Sequence, residues 1–283
     1  MKRIGIPGNE FVQGVTKLPN EIYVLCLIPN IVCCFEDRNP FRLQRNISIT
    51  EIQSPWDIAS SEKDNCLYVS DFVQKCVWKI TRETSDHYNI IKWLSTENAP
   101  FTMSSTQDGQ LLLVTQNSPN LWIYGSDAEL IKSVQLPKEI GYPHHAVKTS
   151  MGNFIVIHFE KPETISLPDS FPFASATPIA RDFEVSEVSR DGQLITRSFI
   201  PEEIDYIIFP YYLSLDSDDR VFVADKDNHR VILLGFDLKW NRILCPAKEE
   251  VMIQLPWRLH FDEVNKQLIV GGDAVYVYNL SQK

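Results

Sequence analysis

Short apolar bursts bounded by polar turn residues recur along the chain at a nearly fixed pitch. They read EIYVL around Val24, CLYVSD around Val69, LLLVTQ around Val114, NFIVIH around Val156, VFVAD around Val223 and QLIVGG around Val270. The gaps between these valines are 45, 45, 42, 67 and 47 residues. Within the bursts, alternation and β-branched content favour strands, and no window of a dozen residues carries a helical stripe. Repeats of roughly 40–50 residues made of short strands are the sequence signature of propeller blades.

A second beat runs in step with the first. Glu10-Phe11, Pro55-Trp56, Pro100-Phe101, Pro143-His144, Pro210-Tyr211 and Pro256-Trp257 follow one another at 45, 45, 43, 67 and 46 residues. Each unit splits into four strand-like runs; the second unit predicts strands at Asp57–Ser60, Cys66–Ser70, Cys76–Ile80 and Ile90–Leu94, with polar breaks between them. A single four-stranded meander cannot cover its own apolar faces, so the units must stack, and a ring leaves no bare end. The expectation is an all-β, six-bladed β-propeller in one domain over 1–283, with blades at about 10–53, 54–97, 98–141, 142–200, 209–252 and 255–283 plus 1–9. The last unit has only about three strands, so the orphan run Lys2-Arg3-Ile4-Gly5-Ile6 is expected to supply its outer strand and close the ring. A proline-bearing insertion at 160–181 lengthens the fourth unit and should project on the face where the innermost strands begin.

Bulk composition narrows the classes. A net charge of −10 argues against nucleic-acid binding by bulk electrostatics, leaving RNA only a local patch near Lys75, Arg230 and Arg258. The N-terminus has no apolar h-region, and the longest apolar stretch, Ile22 to Phe35, is broken by Pro29-Asn30. The chain is therefore expected to be cytoplasmic, off the membrane and monomeric. Six cysteines at positions 26, 33, 34, 66, 76 and 245 form no CxxC pair and are expected to be reduced strand residues. The acidic run Asp216-Ser217-Asp218-Asp219 lacks the Gly and Glu of a calcium-binding EF-hand loop and sits where a hairpin turn is needed.

The fifth unit carries a family resemblance. Residues 211–234, YYLSLDSDDRVFVADKDNHRVILL, closely resemble the NHL repeat, with Asp225, Asn228, His229 and Arg230 at its motif positions. The second unit keeps the skeleton and Asp71 but has Gln74-Lys75-Cys76 in place of N-H-R; elsewhere the Asp position is read as Cys26, Gln116, His158 and Gly272. The resemblance implies a six-bladed propeller used mostly as a binding platform, in some relatives as the substrate- or RNA-binding end of a RING-type ubiquitin ligase. A minority of NHL proteins, the peptide-amidating lyases, are enzymes. This sequence has no RING, since its scattered cysteines cannot make a cross-brace zinc site.

Superposing the units places Phe11, Trp56, Phe101, His144, Tyr211 and Trp257 around one channel mouth, followed by Val12, Asp57, Thr102, His145, Tyr212 and Arg258. The expected ligand-binding set is Trp56, Asp57, Phe101, His144, His145, Tyr211, Tyr212, Trp257 and Arg258, because aromatic anchors beside a few polar groups suit a peptide. The alternative for the rings is that they wedge between blades. Asp57, His145 and Arg258 either orient a small ligand or form a solvated rim. A catalytic metal would need His144 or His145 to converge with His158 and His260. The sequence reading is a non-catalytic scaffold for a protein or peptide, with no cofactor, metal or catalytic residue assigned. The alternatives are a metal-dependent lyase or hydrolase and an RNA-binding NHL domain.

Overall fold

The computed structural model describes residues 1–6, 12–27, 29–85, 87–159, 183–198, 210–244 and 253–280. These form six four-stranded antiparallel sheets, each a meander except for the one that joins the chain's two ends. The second blade runs Pro55–Ser61, Cys66–Asp71, Cys76–Arg82 and Tyr88–Ser95, so its strands begin and end within two residues of their predicted positions. The innermost strands of the six blades are Val12–Leu18, Pro55–Ser61, Pro100–Ser105, Tyr142–Lys148, Pro210–Leu215 and Arg258–Asp262. Each touches the next around the ring, and the sixth touches the first. We call the end where they start the upper face and the end where they finish the lower face. The fourth blade's second strand ends at Phe159, opposite Tyr142, so the chain leaves for the 160–181 insertion at the upper end. The insertion itself lies outside the described residues.

Closure follows the expected route. Lys2–Ile4 pairs antiparallel with Val275–Asn279 in the register Lys2 to Val277, Arg3 to Tyr276 and Ile4 to Val275, and becomes the outer strand of the sixth blade. Ile4 is buried among Val275, Val277 and the first blade's Val24.

Stability sits in the seams. Six hydrophobic clusters each draw on two adjacent blades. Tyr23, Leu25, Ile58, Leu67 and Ile80, for example, meet between the first and second blades. Each such side chain contributes roughly 1.5–3 kcal/mol on burial, and none can be buried within one sheet alone. Around the channel the inner strands are also laced across every seam. Thr16 Oγ1 donates to Ser60 Oγ at 2.8 Å, the Met103 amide to Asp57 at 2.8 Å and Ser104 Oγ to the Ala146 carbonyl at 2.8 Å. The Leu213 amide donates to His145 Nδ1, the Phe261 amide to Ser214 Oγ and the Trp257 indole to the Val12 carbonyl. Near the lower end of the sixth-to-first seam, Lys17 Nζ lies 2.5 Å from Asp262 and 2.9 Å from Asp37, all three buried.

Loop chemistry matches the sequence. Asp71 is fully buried and accepts from the amides of Gln53, Ser54 and Gln74, tying its own hairpin to the loop that enters the same blade. Asp216 accepts from the Asp218 and Arg220 amides and closes a turn. Among the described residues no helix is long and apolar enough to cross a membrane.

Candidate functional site

The upper end of the channel is shaped by a repeated irregularity. In five blades the inner strand carries a β-bulge, between Val12 and Gly14, Pro55 and Asp57, Pro100 and Thr102, Pro143 and His145, and Pro210 and Tyr212. A bulge places one unpaired residue opposite its partner strand and re-aims the side chains around it. The bulged residues are Gln13, Trp56, Phe101, His144 and Tyr211. In the first blade the predicted superposition is thus two residues out: Gln13 and Gly14, not Phe11 and Val12, are the counterparts of Trp56 and Asp57.

The cause is turn length. The first blade joins its two inner strands by a tight turn from Leu18 to Glu21, whereas the second uses the longer loop between Ser61 and Cys66. The same effect shifts the third blade by one residue. Thr115, not Gln116, faces Pro100 as Asp71 faces Pro55.

Three of the predicted rings form one row over adjacent blades. Trp56 stacks on Phe101 with centroids 5.4 Å apart, Phe101 meets His144 edge-on at 4.8 Å, and Phe72 extends the row beyond Trp56 at 5.6 Å. Phe101 and His144 are buried in this row, whereas Trp56, Phe72 and Trp257 are half-buried. Trp257 is anchored by its indole N–H on the Val12 carbonyl at 2.7 Å, with Lys226 Nζ 5.4 Å from the ring centre. The side chain of Tyr211 lies outside the described residues.

One step further along the strands, Asp57, His145, Tyr212 and Arg258 come together and close the channel. All four are buried, Asp57 and His145 completely. Arg258 Nε bonds Asp57 Oδ1 at 3.1 Å, and its terminal nitrogens donate to the Trp56 and Trp257 carbonyls, each at 3.0 Å. Gly14 leaves the first blade without a side chain at the matching position; a Cβ there would stand 2.6 Å from Ile58 Cγ2. Tyr212 reaches across from the fifth blade: its hydroxyl donates to the Met103 carbonyl at 2.7 Å and sits 3.1 Å from Asp57 Oδ2. His145 stacks on the Tyr212 ring with centroids 3.6 Å apart. Of the two expectations for Asp57, His145 and Arg258, a ligand-orienting trio or a solvated rim, the rim does not fit: these residues point inward beneath the aromatic row and are buried in a plug.

Burial sets the electrostatics of this plug. It pushes the Asp57 carboxyl up, against the pull of Arg258 and of the Met103 and Ile58 amides. It raises the Tyr212 phenol well above its ordinary value, and it lowers His145 far below 6.5, with the Arg258 charge adding to the effect. His145 Nδ1 accepts from the Leu213 amide at 3.1 Å, which leaves the proton on Nε2, facing the Met103 carbonyl at 3.5 Å. The plug is thus a set of groups whose hydrogen bonds are taken up by one another.

The four histidines weighed for a metal do not converge. His144 packs on Phe101, His145 lies in the plug, His158 is buried in the fourth blade with Nε2 2.8 Å from Ser186 Oγ, and His260 stands at the lower mouth. Among the described residues no group of three or more His, Cys, Asp or Glu is placed to hold a metal ion. The basic trio is also dispersed: Arg230 is buried on Asp225 at 2.6 Å and Arg258 on Asp57, leaving only Lys75 exposed.

No protein-family model matches the chain, and no curated protein matches it in sequence. Solved structures do match it. Hydrazine synthase of Kuenenia stuttgartiensis aligns over 100% of this chain and 98% of that one, with a TM-score of 0.68 at 13% identity. Catalytically inactive virginiamycin B lyase of Staphylococcus aureus, solved with quinupristin, aligns over 100% and 89%, with a TM-score of 0.61 at 10% identity. A protein of unknown function from Bacteroides caccae covers 85% and 78%, with a TM-score of 0.57 at 18% identity. At these identities the likeness is one of fold: an all-β propeller of six four-stranded blades.

Proposed function

We propose that this propeller is a non-catalytic interaction scaffold that takes a protein or peptide partner on its upper face. The observation that carries the reading is the ring row Phe72–Trp56–Phe101–His144, laid across three blades and backed by the closed plug. Half-buried indoles on a rigid support lose little freedom on binding, which is why Trp dominates hot spots. The plug beneath them exposes no titratable group to a substrate, so Asp57, His145, Tyr212 and Arg258 act as the floor that holds the rings in place.

The test is a peptide-library selection on the native protein, counter-screened against the Trp56→Ala, Trp257→Ala double variant. Selected peptides should bind the native protein and lose at least tenfold in affinity on the double variant, with the fold retained by circular dichroism. Peptides that bind both proteins equally, or a double variant that unfolds before any peptide is lost, would make the indoles blade wedges and overturn the reading.

A further inference from the structure

Below the plug the channel does not continue as a bore but widens into a cavity of about 460 Å³ that opens on the lower face. That is the size of a small-molecule site. Its floor is apolar, made by Ile58, Met103, Leu213 and the underside of Tyr212. Its walls are hydroxyls from different blades. Ser60 Oγ accepts from Thr16 and Ser214 Oγ accepts from the Phe261 amide, and among the described residues nothing takes up the protons of these two serines. Ser104 is complementary: its proton goes to the Ala146 carbonyl, and its oxygen keeps lone pairs to accept with. His260, half-buried in the same wall, has no hydrogen-bond partner on either ring nitrogen among the described residues.

The inner walls of the cavity offer neutral polar groups, with charged side chains at the rim. Burial, opposed by Asp262 and helped by Lys17, lowers His260 to about 4, so its imidazole is neutral near pH 7 and can both donate and accept. Four of the charges at the rim are ion-paired within the protein: Asp262 by Lys17, Asp216 by Arg220 at 2.6 Å, Lys148 by Asp108 at 3.2 Å and Glu263 by Lys266. Asp219 accepts from Ser150, and Glu62 and Lys63 are exposed at the outer edge, where they face solvent. An anion or cation would find the buried charged groups, Asp262 and Asp216, already occupied. A molecule with many hydroxyls and an apolar ring face would find donors and acceptors on the walls and an apolar floor under it.

We propose that the lower mouth is a binding site for a neutral mono- or disaccharide, held by Ser60, Ser104, Ser214 and His260 over the apolar floor. The site is independent of the upper face, on the opposite side of the plug, and neither reading needs the other.

Isothermal titration of the native protein with D-glucose, D-galactose and maltose tests it, with glucosamine and glucose 6-phosphate as charged counterparts. At least one neutral sugar should bind. His260→Ala should weaken it about five- to tenfold, the loss of one neutral hydrogen bond, while His260→Gln keeps a donor and an acceptor and most of the affinity. Ser214→Trp, which fills the mouth, should abolish binding in a protein that still shows the native β spectrum. The proposal is overturned if no neutral sugar binds, if a charged counterpart binds tighter than its neutral form, or if His260→Ala leaves affinity unchanged. Should Ser214→Trp fail to fold, the histidine pair still decides the matter.

Discussion

At the upper end of the channel Asp57, Arg258, His145 and Tyr212 are fully engaged with one another and with main-chain groups. At the lower end, a few residues along the same strands, Ser60, Ser214 and His260 keep hydrogen-bonding capacity that nothing in the described structure takes up. The difference follows from charge. A carboxylate and a guanidinium can be taken out of water only if every donor and acceptor is met, so the upper groups had to close on themselves. Hydroxyls and a neutral imidazole cost far less to leave partly open, so a cavity can persist where they line it. The channel is thereby divided into a sealed half that stiffens the ring and an open half that can receive a ligand.

The largest effect should come from breaking the sealed half. Arg258→Ala removes the cation from a completely buried carboxylate and also strips donors from the Trp56 and Trp257 carbonyls. Loss of one partner from a buried pair costs about 3–5 kcal/mol, so the denaturant midpoint should fall markedly. In the Asp57→Ala, Arg258→Ala double variant part of that loss should return, because no unpaired charge is left behind. A strictly additive cycle would mean that the pair is not coupled.

This division was only half visible in the sequence. The blade count was legible because every seam must be filled from two sheets, which forces the same apolar alternation into each unit. Closure by the N-terminal strand was legible because the last unit lacked a fourth run of apolar residues. The plug was not. Asp57 and Tyr212 lie 155 residues apart, and no local pattern says which side chain will reach across a channel. Equal spacing also pairs Phe11 and Val12 with Trp56 and Asp57, whereas the shorter first hairpin of the first blade gives that place to Gln13 and Gly14. The lower cavity leaves no mark in the sequence for a plainer reason: scattered Ser and Thr at strand ends read as turn residues in any β protein.

Acid should separate the halves next. His145 is buried with its ring nitrogens on the Leu213 amide and the Met103 carbonyl, and its folded-state pKa is depressed far below 6.5. The unfolded chain therefore binds a proton that the folded chain refuses. Stability is fully present above pH 6.5 and falls as pH drops below it, by about 1.4 kcal/mol per pH unit for one such group. Replacing His145 by Leu should flatten that slope, whatever it costs at neutral pH. His260 is depressed only to about 4, so it takes up its proton near that pH, and His260→Leu should flatten the slope above pH 4 but not below it. Equal slopes for the two variants below pH 4 would erase the distinction between the sealed half and the open one.

The smallest effect belongs to the open half. Thr16→Val keeps shape and volume but removes the hydroxyl that donates to Ser60 Oγ at 2.8 Å across the first seam. If this bond were as enclosed as those of the plug, its loss would strand a buried oxygen and cost more than a typical hydrogen bond. Ser60, however, lines the lower cavity, where water can replace the missing donor. The expected loss is therefore about 0.5–1.5 kcal/mol, the net worth of an ordinary hydrogen bond. It should show as a small fall in melting temperature with the blade packing intact by near-ultraviolet dichroism. A cost approaching that of Arg258→Ala would show that the lower mouth is as dry as the upper one, and would remove the physical basis for a ligand there.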